Sequence, residues 1–184
     1  MSFTITAKDA IKTLEKTICN ETINNQCNEI ASYIREADQK GKLVVIFGNG
    51  GSAADAQHFA GELVCTYRNK NRKPYRAIAL TLNTSVITAW SNDFHYEEIF
   101  QRQIDAFSDS IGLAIGLSTS GTSKNVLLGL AKAKSYGIKT SLICGDCKTN
   151  ELDIDYLISI PSRSTPTIQT VTEVIYHSIC ENLE

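Results

Sequence analysis

The sequence has almost no net charge: 18 Lys and Arg stand against 20 Asp and Glu, a formal charge of −2. It therefore lacks the basic footprint that nucleic acid or an anionic membrane surface would require. Long apolar runs are also missing, and none approaches the roughly 18 residues that a membrane-spanning helix needs. The opening "MSFTITAKDAIKTLEKT" has no basic segment followed by an apolar core. No secretory signal is read there, and a cytoplasmic location is expected. No GxGxxG and no Walker sequence is present, which disfavours nucleotide binding. Of the six cysteines only Cys144 and Cys147, in "CGDC", have ligand-like spacing. Without a second such pair a zinc ribbon is excluded, leaving a strand end followed by a turn, with a redox pair as the alternative. Histidine is scarce, at His58, His95 and His177. No repeat, low-complexity stretch or linker divides the chain.

What is present reads as one domain of 184 residues, long enough to bury a substantial core. Apolar residues make up 42% and charged residues 21%, as in soluble globular proteins. From about Thr6 to Gln39 apolar residues recur at helical spacing (Ala10, Ile11, Leu14, Ile18, Ile23, Ile30, Ile34), predicting one long helix stopped at Gly41. Such a helix covers either its own sheet or another subunit. Then short apolar strands (42–47, 77–82, 111–117, 139–144, 156–160) alternate with helices (52–67, 85–90, 96–107, 122–136, 166–183). Continuous apolar strands alternating with helices predict an α/β fold, a parallel sheet covered on both faces. Ligands of such sheets bind beyond the carboxyl ends of the strands, so the strand-to-helix turns come first.

Two turns stand out. Gly48-Asn49-Gly50-Gly51-Ser52 follows the first strand directly. Its glycines permit close backbone approach, and the next helix points free N–H groups and its positive end at the same space. Ser52 and Asp55 read as a capping box, so a tight turn plus a cap is sufficient by itself. The second turn, "STSGTSKN", gathers Ser118, Thr119, Ser120, Thr122 and Ser123 around Gly121. A capped loop usually needs one hydroxyl; a row of them suits phosphate oxygens without adding positive charge.

His58 and Glu62, four residues apart, lie about 40° apart on one helix face. Gln169 and His177, eight residues apart on the closing helix, can border the same cleft. These four could hold a divalent ion such as zinc, or Glu62 and His177 could act as general base and general acid. The plainer alternatives are a packed core histidine among Val171, Val174 and Ile175, and a surface i,i+4 pair. His95 reads as a loop histidine and Trp90 as core. The basic run "RNKNRKPYR" reads as a solvated loop, with attraction of an anionic substrate as the alternative.

Together "GNGGSAADAQHFAGEL", "SNDF", "STSGTSKN" and "IQTVTEVIYH" resemble, in order and over nearly the whole chain, the phosphoheptose isomerases of the sugar isomerase (SIS) domain superfamily. The resemblance implies a single SIS domain over 1–184, with five parallel strands between helices. It implies a homotetramer to which the N-terminal helix, about 6–40, contributes. The implied activity converts sedoheptulose 7-phosphate to D-glycero-D-manno-heptose 7-phosphate, for lipopolysaccharide core or capsule. It implicates Asn49, Gly50, Gly51, Ser52, Glu62, Asp93, Ser118, Thr119, Ser120, Ser123 and Gln169 in sugar-phosphate binding. Glu62 and His177 match the catalytic pair, and His58, Glu62, Gln169 and His177 match a zinc site, one ion per subunit. Pro166 departs from the pattern: some members carry an acidic residue there, so no polar sugar contact carries over to it. The rival expectations are a non-catalytic SIS adaptor resembling the DnaA initiator-associating protein, and an isomerase of another phosphosugar.

Overall fold

The computed structural model describes residues 3–146 and 153–184. Cys147 of "CGDC" lies outside the described residues. The chain runs α1 (Phe3–Ile18), α2 (Glu21–Gln39), β1 (Leu43–Gly48), α3 (Gly51–Val64), β2 (Ala77–Ala79), α4 (Thr84–Asp93), α5 (Ile99–Phe107), β3 (Ile111–Ser118), α6 (Lys124–Ser135), β4 (Lys139–Cys144), β5 (Tyr156–Ser159) and α7 (Thr165–Glu181). Single turns of 3-10 helix at Tyr96–Glu98 and Ser108–Ser110 flank α5. All five strands are parallel, in the order β2-β1-β3-β4-β5.

The strands are buried on both faces, so successive residues feed opposite cores. Val44 and Ile46 of β1 face the core built by α2, α3 and α7, with Ile34, Phe59 and Ile175. Val45 and Phe47 face the other, built by α5 and α6, with Ile104 and Leu130. Phe47 and Phe100 close this second core with ring centroids 5.0 Å apart. The α/β sandwich is the one the alternating pattern implied, and no helix among the described residues is long and apolar enough to cross a membrane.

Three local readings need correction. The N-terminal region is two helices. Asn20 has extended backbone (φ −97°, ψ 95°), and its side chain accepts from Thr22 N–H at 3.1 Å. An Asn in this position offers its own oxygen to the next helix's orphan N–H groups and so ends one helix and caps another. Both helices keep an apolar face, so the periodicity runs through the break without registering it. The strand read as 77–82 ends at Ala79. Leu80 N–H still bonds Ile46 O at 2.9 Å, but Asn83 then caps α4 through Val86 N–H at 3.1 Å. The Ser52–Asp55 capping box does not form. Gly50 is the N-cap (φ 55°), no side chain caps α3, and Ser52 is already inside the helix and buried.

Candidate active site at the carboxyl edge of the sheet

Two helix N-termini open side by side. Gly48 and Leu117 pair in register at the ends of β1 and β3, so the turns after these strands are neighbours. A Cβ on Gly48 would lie 2.8 Å from both Leu117 O and Ser52 Cβ, so only glycine lets α3 start this close to β3. Across from it, a Cβ on Gly51 would lie 2.1 Å from Gln169 Nε2: the Gln169 amide rests on the first residue of α3. Gly51 and His58, seven residues apart, share one helix face.

Asn49 is held in place by two partners. Its Nδ2 donates to Asn125 Oδ1 at 2.8 Å, and its Oδ1 accepts from Asn125 Nδ2 and from Tyr96 Oη, both at 2.8 Å. Asn125 is buried and also caps the Val126 N–H at 2.9 Å. Neither Asn125 nor Tyr96 stood out as a site residue in the sequence. Asn125 closes the hydroxyl-rich motif, but its partner lies 76 positions away and leaves no local signal.

In the second turn Ser118, buried, donates to Ser123 Oγ at 2.9 Å. Ser120 Oγ accepts from Thr122 N–H at 3.2 Å and from Thr122 Oγ1 at 3.0 Å. Gly121 turns the chain at φ 67°. Ser123 precedes α6 without spending its side chain as a cap. The first-turn N–H groups of α3 and α6 and this set of hydroxyls form a donor-rich, uncharged cradle of the kind that suits a phosphate. Asp93 is exposed at the end of α4 and accepts from Asn92 Nδ2 at 2.8 Å, while Tyr96, three residues on, reaches Asn49.

Two turns along α3, His58 Nε2 lies 3.1 Å from Glu62 Oε1. The His58 and His177 rings meet edge to face at 5.3 Å, and donor atoms of His58, Glu62 and His177 all fall within 4.8 Å of one another. Two imidazoles and a carboxylate from two helices are a donor set able to hold a divalent metal. Tyr67 stacks on His177, centroids 5.3 Å apart and planes at 28°. Tyr176, fully buried, brings its hydroxyl 2.8 Å from His58 Nδ1, with Glu173 Oε1 3.8 Å from the same nitrogen. Asp55, one turn before His58, has one oxygen buried without a hydrogen-bond partner. Burial, then the nearby Glu173, push its carboxyl up to about 6, against the pull of His58.

The basic run is not wholly a solvated loop. Arg72 is nearly buried and donates to Glu62 O at 2.6 Å and Leu63 O at 3.1 Å, closing the carboxyl end of α3. The Glu184 side chain accepts the N–H groups of Tyr67, Arg68 and Asn69 at 3.2, 2.8 and 3.0 Å. Burial opposes its charge, but these three bonds and Arg72 outweigh it and hold the carboxyl below its ordinary range. His95 is exposed, as read. Trp90, read as core, lies at the core's margin: it is half-buried and packed against the second core, stacked on Phe94 at 4.2 Å beneath the Arg102 guanidinium at 4.9 Å.

A family model described as SIS domain matches residues 7–145. The chain is 41% identical over 178 residues to a phosphoheptose isomerase of Clostridium acetobutylicum, covering 96% of this chain and 90% of that one. It is 47% identical over 145 residues to the phosphoheptose isomerase of Paramagnetospirillum magneticum, covering 78% and 75%. A solved phosphoheptose isomerase from Neisseria gonorrhoeae is similar at TM-score 0.80 and 26% identity, covering 96% and 93%. On sequence and fold together, the chain belongs to the SIS-domain family and, within it, to the phosphoheptose isomerases.

Proposed function

We propose that this chain isomerises sedoheptulose 7-phosphate to D-glycero-D-manno-heptose 7-phosphate. The observation that carries the reading is the succession along α3: a glycine turn at its N-terminus, then His58 and Glu62 facing His177. The hydroxyls of Ser118, Thr119, Ser120 and Ser123, with Ser52 and the backbone N–H groups of Gly50 and Gly51, hold the phosphate. Asn49, Asp93 and Gln169 orient the sugar hydroxyls. Binding energy from the unreactive phosphate end positions C1 and C2 beside the middle of α3.

Glu62 takes the proton from C1. His177 protonates the C2 oxygen, giving the enediol. The O1 proton then leaves and a proton returns to C2, giving the aldose, with no net change in atoms or charge. Positioned proton transfer of this kind typically contributes about 10²–10⁴-fold. His58, Glu62 and His177, whose donor atoms converge, would hold a zinc ion, one per subunit, with Gln169 as the fourth ligand that the family resemblance implies, and the ion would supply Lewis-acid polarisation of the sugar carbonyl. A carboxylate engaged with a dication is a weaker base, so the two tasks of Glu62 compete.

We place the enzyme in the cytoplasm as a homotetramer serving lipopolysaccharide core or capsule synthesis. The apolar residues that α1 leaves exposed, among them Phe3, Ile11 and Ile18, support an intersubunit role for that helix. Incubating the protein with sedoheptulose 7-phosphate and resolving ketose from aldose tests the reading. A non-catalytic adaptor gives no aldose, and an isomerase of another sugar turns over a different ketose phosphate in a panel.

A further inference from the structure

We infer that Tyr176 is the positioning residue for His58, holding the imidazole in one orientation from behind and completing whichever tautomer the Nε2 side requires. The part of the inference that concerns a cation rests on the metal reading proposed above; the part that concerns the ring does not.

Tyr176 immediately precedes His177 on α7, yet its hydroxyl serves the other histidine. Its ring is fully buried, stacked on Phe59 at 5.2 Å and 16°. It packs edge-on against both imidazoles, at 5.4 Å from His58 and 4.8 Å from His177. The phenol is therefore held by packing, and the direction of its hydroxyl is settled before any ligand arrives. His58 itself is less confined, with 44% of its side chain exposed. Besides Tyr176, the polar contacts on the ring are Glu62 at Nε2, 3.1 Å away, and the more distant Glu173 at Nδ1.

The proton count assigns the roles. A neutral imidazole carries one N–H and one bare nitrogen, and an ionised carboxylate only accepts. With Nε2 at 3.1 Å from Glu62 Oε1, that nitrogen donates to the carboxylate, Nδ1 is bare, and Tyr176 donates to it across 2.8 Å. When Nε2 instead binds a cation it must be bare, the proton sits on Nδ1, and the hydroxyl accepts. A hydroxyl can play both parts by rotating about its C–O bond. A carboxylate or carbonyl behind the ring could accept only, and would serve only the cation-bound form.

The deciding measurement is the pair of imidazole ¹⁵N shifts of His58 in metal-free protein, wild type against Tyr176→Phe. The substitution removes one oxygen and keeps the ring stacking, and dispersed amide resonances check that the variant folds. Wild type is expected to show one Nε2–H tautomer. In the variant this signature is lost, to a mixture or to the Nδ1–H form drawn by Glu173. A variant whose His58 shifts equal those of wild type would overturn the inference. Cobalt(II) affinity by chelator competition is the second readout, with a drop of about 10–100-fold expected for the variant. If wild type shows the Nε2–H signature, the variant loses it, and neither protein binds cobalt, the ring-positioning role stands and the metal reading is the one that fails.

Discussion

The side-chain amides of Asn49 and Asn125 bond each other in both directions at 2.8 Å, tying the turn after β1 to the start of α6. This pair fixes the spacing of the two helix N-termini assigned to phosphate. Replacing Asn125 with Ala leaves Asn49 Nδ2 without its acceptor at a half-buried site, while Tyr96 still donates to Oδ1, a cost of about 1–3 kcal/mol. Thermal unfolding should report that loss, and KM for the sugar phosphate should rise more than kcat falls.

Gly48 and Gly51 separate backbone from side-chain crowding. An Ala at 48 meets the Leu117 carbonyl, which belongs to the sheet and cannot give way. It should destabilise by about 1–3 kcal/mol. An Ala at 51 meets the far end of Gln169, which can swing aside. Its melting temperature should stay near wild type while turnover drops through the displaced amide. A matched pair of melts and assays on the two variants checks the contrast.

Arg72 closes α3 by donating to the carbonyls of Glu62 and Leu63 from a nearly buried position. Arg72→Lys keeps the charge but cannot reproduce the planar fork. Chemical denaturation should show both Arg72→Lys and Arg72→Ala destabilised, the Lys variant recovering only part of the loss.

Asp55 offers a pH test. Its folded-state pKa is raised from 3.8 to about 6, so the protonated form is the one the fold favours. Its stabilising contribution is complete below 3.8 and is lost as pH rises through about 6. A shift of this size is worth about 1.36 kcal/mol per unit. Half-exposure screens it to on the order of 1 kcal/mol. Asp55→Asn should therefore melt higher than wild type at pH 8 and no higher at pH 4.

Glu184 has the opposite sign. Its lowered pKa means its contribution is present above the ordinary glutamate value of 4.5 and is lost as pH falls below it. Because its side chain holds the 67–69 backbone, and Tyr67 stacks on His177, Glu184→Ala should loosen that stack. The expected result is a lower kcat with little change in KM.

Continuous apolar runs such as "KLVVIF" and the hydroxyl row after β3 were legible because their signal is local: neighbours in sequence share one task. The break at Asn20 was hidden because both helices present apolar faces in nearly the same phase. Arg72 was hidden inside a run of exposed basic residues, where composition cannot show which member turns inward. Val174, read among core neighbours of His177, is 47% exposed, since α7 shows one stripe outward. The convergence of His58, Glu62 and His177 followed from helix phase only once the two helices were known to pack face to face. Tyr176's hydroxyl meets a residue 118 positions away, which no periodicity reports.

The central claim is that the Glu62 carboxylate moves the carbon-bound proton. It is tested most directly by turnover of sedoheptulose 7-phosphate in D₂O, wild type beside Glu62→Gln. Wild type should yield aldose carrying solvent deuterium at C2. The variant should bind the sugar phosphate with nearly unchanged affinity while losing about 10²-fold or more in rate. Near-normal turnover by Glu62→Gln, or no aldose from wild type, would contradict the account.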